Sequence, residues 1–534
     1  MAKIETALIS VSDKAGVAAF ARRLAALGVH IMSTKGTARL LRERGIEVQD
    51  VSDYTGFPEI LDGRIKTLHP KVHAGLLARR EKDSHLRELE EHGIRPIDIV
   101  VVNLYPFVDV IARPGVELTQ AIENIDVGGS TLVRAAAKNY RHVAVVTNPS
   151  MYDAVALEME RNGGCLSEQT HLGLGVEAFR HTAHYDNAIA RYLSGIEGEL
   201  RAGPERLALE FVKKQELRYG ENPHQGAAFY VEERVEEPCA GTAEQVGGPE
   251  LSFNNILDMN AGVELIKEFD QPAAVIIKHT NPCGAGTASS LRQAYEKAYF
   301  GDPVSAFGCV AVLNRSLDAR TATAIAQVRA RVEGKPAPYF VEVLVAPDFD
   351  AEALDLLRGK VDWAERMRVL KTGPLSWSLV DEKARDMRRV IGGLLVQDRD
   401  LLGFHPDALT VATRRAPTEA EMADLKFAWL CCKHVKSNAV VLAKDAALVG
   451  VGAGQMSRVD ATTVALRKAG ERAQESVLAS DAFFPFPDSV EAAAEAGVRA
   501  VIQPGGSKAD AAVIEAADRL GLAMVLTGTR HFRH

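Results

Sequence analysis

Apolar positions in the first 150 residues follow two periods. Residues 6–11 form a short apolar run of strand length. Val17, Phe20, Ala21, Leu24 and Leu27 then recur at i, i+3, i+4, i+7 and i+10, the stripe of an amphipathic helix. Ser12 is placed to cap that helix and Gly28 to end it. Residues 29–32 read as a second strand, 33–37 as a turn, and 38–44 as a second helix stopped by Gly45; strands follow at 97–104 and 143–147. Strands alternating with helices of this length predict a parallel sheet with helices on both faces. Ligands of such sheets bind at the carboxyl ends of the strands.

Gly195, Gly198, Gly203 and Pro204 interrupt the helical patterning and predict a boundary near 195–205, giving domains 1–198 and 199–534. The second region mixes amphipathic helices with strands at 273–277, 309–313, 341–345, 439–443, 498–502 and 523–526, enough for two α/β units. No repeat of fixed period is visible in it.

Composition narrows the class. The 534 residues are 47% hydrophobic and 25% charged with a net charge of −8, ordinary globular usage. No apolar run approaches the ~18 residues of a membrane span, and Glu5 interrupts any secretory h-region. Six cysteines without a C-x-x-C pattern predict a reduced, cytoplasmic protein without a thiolate metal site. Mild acidity argues against broad nucleic-acid binding, so an anionic ligand must meet local positive charge.

Five groups supply that charge or other chemistry. Ser10, Ser12 and Lys14, with Thr34, Gly36 and Thr37, follow two strands; their hydroxyls and amides suit a phosphate, and ordinary capping accounts for them as well. Arg64, Lys66, Thr67, His69, Lys71 and His73 form a cationic segment broken by Gly63 and Pro70, an oxyanion clamp or a solvated loop. Tyr105, Asp126, Arg134 and Lys138 offer acid–base groups, each of which also reads as a surface or capping residue. Lys278 and His279 directly follow an apolar strand, where an imidazole beside an ammonium can move protons near neutrality. Pro282-Cys283 lacks the second cysteine of a zinc deaminase, so that ligand set is incomplete. Toward the C-terminus stand Asn438, a G-x-G-x-G run at Gly450, Gly452 and Gly454, then Ser457, Arg458, a phenylalanine cluster around Phe484, and Arg530. The glycine run is a weak dinucleotide signal, the phenylalanines read first as a core corner, and His181 and His184 read as structural.

Taken together, Arg64-Ile-Lys66-Thr-Leu-His-Pro, Asn103-Leu-Tyr-Pro-Phe, Ile125-Asp-Val-Gly-Gly and Arg134-Ala-Ala-Ala-Lys-Asn resemble the IMP cyclohydrolase domain of the bifunctional purine biosynthesis family. Arg218-Tyr-Gly-Glu-Asn-Pro-His-Gln, Lys278-His-Thr-Asn-Pro, Ser305-Ala-Phe-Gly, Gly452-Ala-Gly-Gln-Met-Ser-Arg, Ser480-Asp-Ala-Phe-Phe-Pro-Phe and Arg530-His-Phe-Arg-His resemble its AICAR transformylase domain. The resemblance runs in order from about residue 5 to residue 534.

That resemblance implies a methylglyoxal-synthase-like parallel-sheet domain followed by an α/β transformylase region of two cytidine-deaminase-like units without catalytic zinc. It implies formyl transfer from 10-formyltetrahydrofolate to AICAR, closure of FAICAR to IMP, and a homodimer sharing the transformylase site. By the same resemblance Lys278, His279 and Asn438 serve the transfer, and Lys66, Tyr105, Asp126 and Lys138 serve the closure. Ser12, Lys14, Thr34, Gly36, Thr37, Arg64 and Thr67 grip the cyclised nucleotide. Arg218, Tyr219, Phe307, Phe484 and Arg530 hold AICAR, and Gly454, Ser457 and Arg458 lie near the folate. Lys35 and Glu342 depart from the family pattern. The competing readings are a zinc nucleotide deaminase and a non-catalytic nucleotide sensor.

Overall fold

The computed structural model describes residues 2–196, 205–328, 331–332, 335–336 and 339–534. It divides into two compact units, Met1–Glu210 and Phe211–His534. The boundary predicted at 198/199 lies outside the described residues.

In the first unit β1 (Thr6–Ile9), β2 (His30–Ser33), β3 (Gln49–Asp50), β4 (Ile99–Val101) and β5 (Ala144–Val146) form one sheet of order β3-β2-β1-β4-β5. Every pairing is parallel. The period of two sorts the side chains of β1 between two apolar layers. Ala7 and Ile9 pack with Val17, Phe20 and Leu24 on one face. Leu8 packs on the other with Val72, Leu76, Leu132 and Val133. Burying each large side chain contributes about 1.5–3 kcal/mol. Strand order reverses direction between β1 and β4, so the loops after these strands part there and open a crevice.

Two local expectations are corrected. Helix α1 (Val17–Ala26) is not capped by Ser12; Gly16, at φ 67°, occupies the cap. The Ser12 and Asp13 amides are instead spent on Asn103 Oδ1 at 2.5 and 2.8 Å, so the chain turns once more before the helix. Helix α2 (Lys35–Glu43) begins three residues earlier than predicted, which places Lys35, Gly36 and Thr37 in its first turn.

The second unit is built on a twelve-stranded mixed sheet. Contrary to the sequence reading, it contains a repeat. Ser252 and Thr418 open the helices Phe253–Ile266 and Glu419–Cys432, each with a capping box. Each helix leads to a hairpin, Ala273–Lys278 with Asn281–Thr287 and Val440–Lys444 with Ala447–Gly452. The helices Leu291–Gly301 and Arg458–Ala469 follow, and after each, among the described residues, three strands of the large sheet: Cys309–Leu313, Val341–Ala346 and Arg368–Lys371 in one half, Val477–Ser480, Ala500–Gln503 and Ala523–Leu526 in the other. The offset through the hairpins is constant: 418 − 252, 444 − 278 and 452 − 286 all give 166. The two halves meet edge to edge where Gly286 pairs with Ala447.

The repeat also accounts for the glycine run. A Cβ on Gly284 would fall 1.9 Å from the Ala298 oxygen, and one on Gly450, at the same offset, 2.2 Å from the Ala465 oxygen. In both halves glycine lets the strand lie directly against the following helix, a packing role rather than a dinucleotide fingerprint.

Candidate active sites

In the first unit, loops at the carboxyl ends of β1, β2 and β4 converge. Asn103, after β4, accepts the Ser12 and Asp13 amides and donates to Asp13 O at 3.0 Å, tying the two sides of the crevice. Ser10 Oγ meets Thr34 Oγ1 at 3.0 Å, and Lys14 Nζ donates to Thr37 Oγ1 at 2.8 Å and to the Val11 carbonyl. Although the Lys14 side chain is exposed overall, its ammonium is tucked against these oxygens. Burial, and next the neighbouring Lys66 charge, lower its pKa. Two ammonium groups close enough to oppose each other's protonation form a local anion-attracting spot on an acidic protein.

Asp126 caps the helix Val127–Lys138, accepting the Gly129 amide at 2.7 Å. The fit needs glycine, because a Cβ on Gly129 would lie 2.5 Å from Asp126 Oδ2 and 2.8 Å from Leu104 Cδ2. Burial raises the Asp126 pKa; the Gly129 and Tyr105 amides and the Lys66 charge pull the other way. Tyr185 Oη accepts the Asp126 amide at 2.8 Å. Thr67 is buried beside Gly128. Lys14, Lys66, Thr67, Tyr105 and Asp126 are thus brought to one rim.

Lys138 is not brought there. It ends the helix that Asp126 begins, about 18 Å along the axis at 1.5 Å per residue. Arg64 is exposed and paired with Glu123. His69 is spent on the cap of Pro70–Leu77, accepting the Lys71 amide at 3.1 Å. Lys35 is exposed in the first turn of α2.

In the second unit Lys278 ends its strand and His279 and Thr280 form the two-residue turn, at φ 52° and 61°. Lys278 Nζ donates to Phe307 O at 2.9 Å and Gly308 O at 3.0 Å, which leaves one ammonium hydrogen for a ligand. The His279 side chain is exposed beside it. A Cβ on Gly308 would find Lys278 Nζ at 3.3 Å and Glu342 Oε2 at 3.9 Å, so Glu342 belongs to this neighbourhood. It accepts from Asn255 at 3.0 Å and pairs with Arg368. Phe307 is 48% exposed. Arg218 is exposed and stacks on Tyr219, its guanidinium carbon 4.8 Å from the ring centre. Their loop reaches the start of the Phe253–Ile266 helix through Asn254 and Glu221 O.

Three C-terminal residues differ from expectation. Arg458 is buried and faces inward, donating to Asp481, to Ala439 O at 3.0 Å and to Asn438 Oδ1 at 2.8 Å. A guanidinium so engaged braces Asn438 rather than meeting a folate. Ser457 caps the following helix, so of the three folate residues Gly454 alone stands exposed. Phe484 is fully buried in a core cluster, the alternative held open for it; Phe483 and Phe486 are the exposed members. Arg530 is exposed, stacked on Phe532 at 4.6 Å. Asn438 keeps one amide hydrogen after donating to Gln455 O.

Sequence reasoning missed Asn103 as a brace, Asp481, and Asp258, whose carboxylate receives the His279 and Thr280 amides. A search at the 166-residue offset would have found Asp258, since Asp424 and Lys444 stand where Asp258 and Lys278 do. Among the described residues no group of three His, Cys, Asp or Glu is placed to hold a metal, and no helix is long and apolar enough to cross a membrane.

Two family models match successive parts of the chain. Residues 16–131 match the MGS-like domain, and residues 136–468 match the AICARFT/IMPCHase bienzyme. The bifunctional purine biosynthesis protein PurH of Thermoanaerobacter sp. (strain X514) is 51% identical over 528 residues, covering 99% of both chains. A solved structure titled "Crystal structure of ForH" is 38% identical, covers 35% of this chain and 98% of its own, and superposes with a TM-score of 0.32. With one family model spanning more than half its length and a relative matching almost all of it, the chain belongs to the AICARFT/IMPCHase bienzyme family.

Proposed function

We propose that the Phe211–His534 unit transfers a formyl group from 10-formyltetrahydrofolate to the 5-amino group of AICAR, and that the Met1–Glu210 unit closes the product FAICAR to IMP. The chain is a bifunctional enzyme of purine biosynthesis with both activities. The observation that carries the assignment to residues is the hairpin tip at which an exposed imidazole stands beside a half-buried ammonium.

In transfer, the amine nitrogen bonds to the formyl carbon as the bond from that carbon to the folate nitrogen breaks. The amine is a weak nucleophile, so its proton must leave during attack, and His279 accepts it. The remaining Lys278 hydrogen supports proton delivery to the departing folate nitrogen. The free Asn438 amide hydrogen stabilises the developing oxyanion. Arg218 and Arg530 are the exposed cations for the ribotide, and Tyr219 and Phe307 the faces for its ring. Among the residues expected near the folate, Gly454 fits contact and Arg458 does not.

In closure, the carboxamide nitrogen attacks the formyl carbon and the formyl oxygen leaves as water. Positioning dominates this intramolecular step. Asp126, whose burial makes it a stronger base than an ordinary aspartate, takes the amide proton. Tyr105 relays it, and Lys66 supports the oxyanion. Ser12, Lys14, Thr34, Gly36, Thr37 and Thr67 hold the nucleotide. Lys138 and Arg64 act in this site only from outside the rim formed by a single chain.

We infer a homodimer in the cytoplasm. Exposed Met456 and Phe486 support a covered surface on the transformylase unit, and six cysteines without a C-x-x-C pattern support a reducing compartment. Purified protein supplied with AICAR and 10-formyltetrahydrofolate should release tetrahydrofolate and form IMP; release without IMP would remove the closure, and neither would remove both. Sedimentation as a monomer would remove the dimer.

A further inference from the structure

We propose that Asp258 is a positioning residue for formyl transfer, its carboxylate locking the two-residue turn that presents His279 beside Lys278. This rests on the reading of Lys278 and His279 as the reacting pair. A two-residue hairpin turn with positive φ at both connecting residues favours Asn-Gly or Asp-Gly. Here the pair is His279 and Thr280, at φ 52° and 61°, and a β-branched residue is a genuine outlier in that region. The turn therefore needs holding from outside. Asp258 supplies the hold: Oδ1 accepts the Thr280 amide at 2.6 Å and Oδ2 the His279 amide at 3.3 Å. The carboxylate is itself fixed, because its helix is capped at Ser252 and buries Met259 and Val263.

The second half of the repeat shows the brace without the chemistry. Asp424 accepts the Asp445 and Ala446 amides at 2.9 and 2.7 Å, in a turn at φ 53° and 54°. Lys444 Nζ donates to Gln474 O at 3.0 Å, as Lys278 does to Phe307 O. The second turn carries no imidazole. The same device thus serves twice, and only the first copy has a proton acceptor to aim. Asp424 is a control built into the chain.

The test compares D258N, D258E, D424N and H279A in the full chain, with AICAR and 10-formyltetrahydrofolate for transfer and supplied FAICAR for closure. D258N replaces one acceptor by an N–H facing a backbone N–H; D258E keeps both acceptors but shifts them by a methylene. Either should lower kcat for transfer about 10- to 100-fold, the effect of misplacing a reacting group. KM for AICAR should stay within about twofold, and closure should be unchanged. D424N should lower Tm and leave both rates at wild type. Wild-type kcat in D258N and D258E, or an equal loss in D424N, overturns the proposal. Wild-type transfer by H279A would instead remove His279, and with it the reading underneath; loss in H279A with full activity in both Asp258 variants removes the positioning role alone.

Discussion

Arg458 holds Asn438: one guanidinium nitrogen donates to the Asn438 side-chain oxygen at 2.8 Å while the other engages the fully buried Asp481 carboxylate. Ser437 Oγ donates to the same carboxylate at 2.6 Å and the Ala439 amide at 3.1 Å. The residues on both sides of Asn438 are therefore fixed to one buried ion pair.

Removing that cation should act through Asn438 and not through folate affinity. R458M leaves Asp481 buried and unpaired, a loss of about 3–5 kcal/mol, read as a lower Tm. Transfer kcat should fall while folate KM changes less than about twofold. A large rise in folate KM at unchanged kcat would return Arg458 to the folate site.

Closure should fail on the acid side at a pH above the ordinary aspartate value of about 3.9, because burial raises the Asp126 pKa and the base is lost on protonation. D126N should abolish closure. The fold favours the neutral carboxyl, so Asp126 contributes stability below its unfolded pKa and loses it as pH rises through the raised value. D126N should accordingly raise Tm at pH 7; an unchanged or lower Tm would contradict the shift.

The two activities should separate by mutation. K66A is expected to transfer formyl at the wild-type rate while FAICAR accumulates, measured by tetrahydrofolate release against IMP formation. IMP formation at the wild-type rate would take Lys66 out of closure.

Phe484 belongs to the core. F484A should destabilise by about 3–5 kcal/mol in denaturant unfolding and leave KM for AICAR within about twofold. A KM effect exceeding the stability effect would place its ring against the substrate.

Glu237 gathers a buried and a half-buried cation, Lys267 Nζ at 2.5 Å and Arg399 Nη1 at 2.7 Å. These bonds outweigh its burial and lower its pKa from 4.5 to about 2. The depressed value means stability present above the unfolded pKa and lost as pH falls from 4.5 through about 2. E237Q should lower Tm at pH 7 and flatten its decline over that interval.

Much of the layout was legible in the sequence because periodicity reports burial directly. The strands Cys309–Leu313 and Ala523–Leu526 appear where the apolar runs place them, and the stripe Val17, Phe20, Ala21 and Leu24 is buried. What periodicity cannot report is which polar atom a polar side chain meets. Ser12 looks like a cap until Asn103, ninety-one residues away, claims its amide. Arg458 looks like a ligand contact until Asp481 is folded against it. Lys138 and Asp126 stand in one acid–base group by motif, and the length of the helix between them separates them. The repeat escaped notice because its halves share spacing at a few hydrogen-bonding and glycine positions rather than apolar composition.

Joining both halves of the repeat through Gly286 and Ala447 runs one sheet through the Phe211–His534 unit. Severed between the halves, each piece would bare a long, glycine-bearing strand whose unmet amides invite association with any other open edge. A fragment holding only the reactive hairpin would carry that open edge with it, so trimming the protein trades size against aggregation.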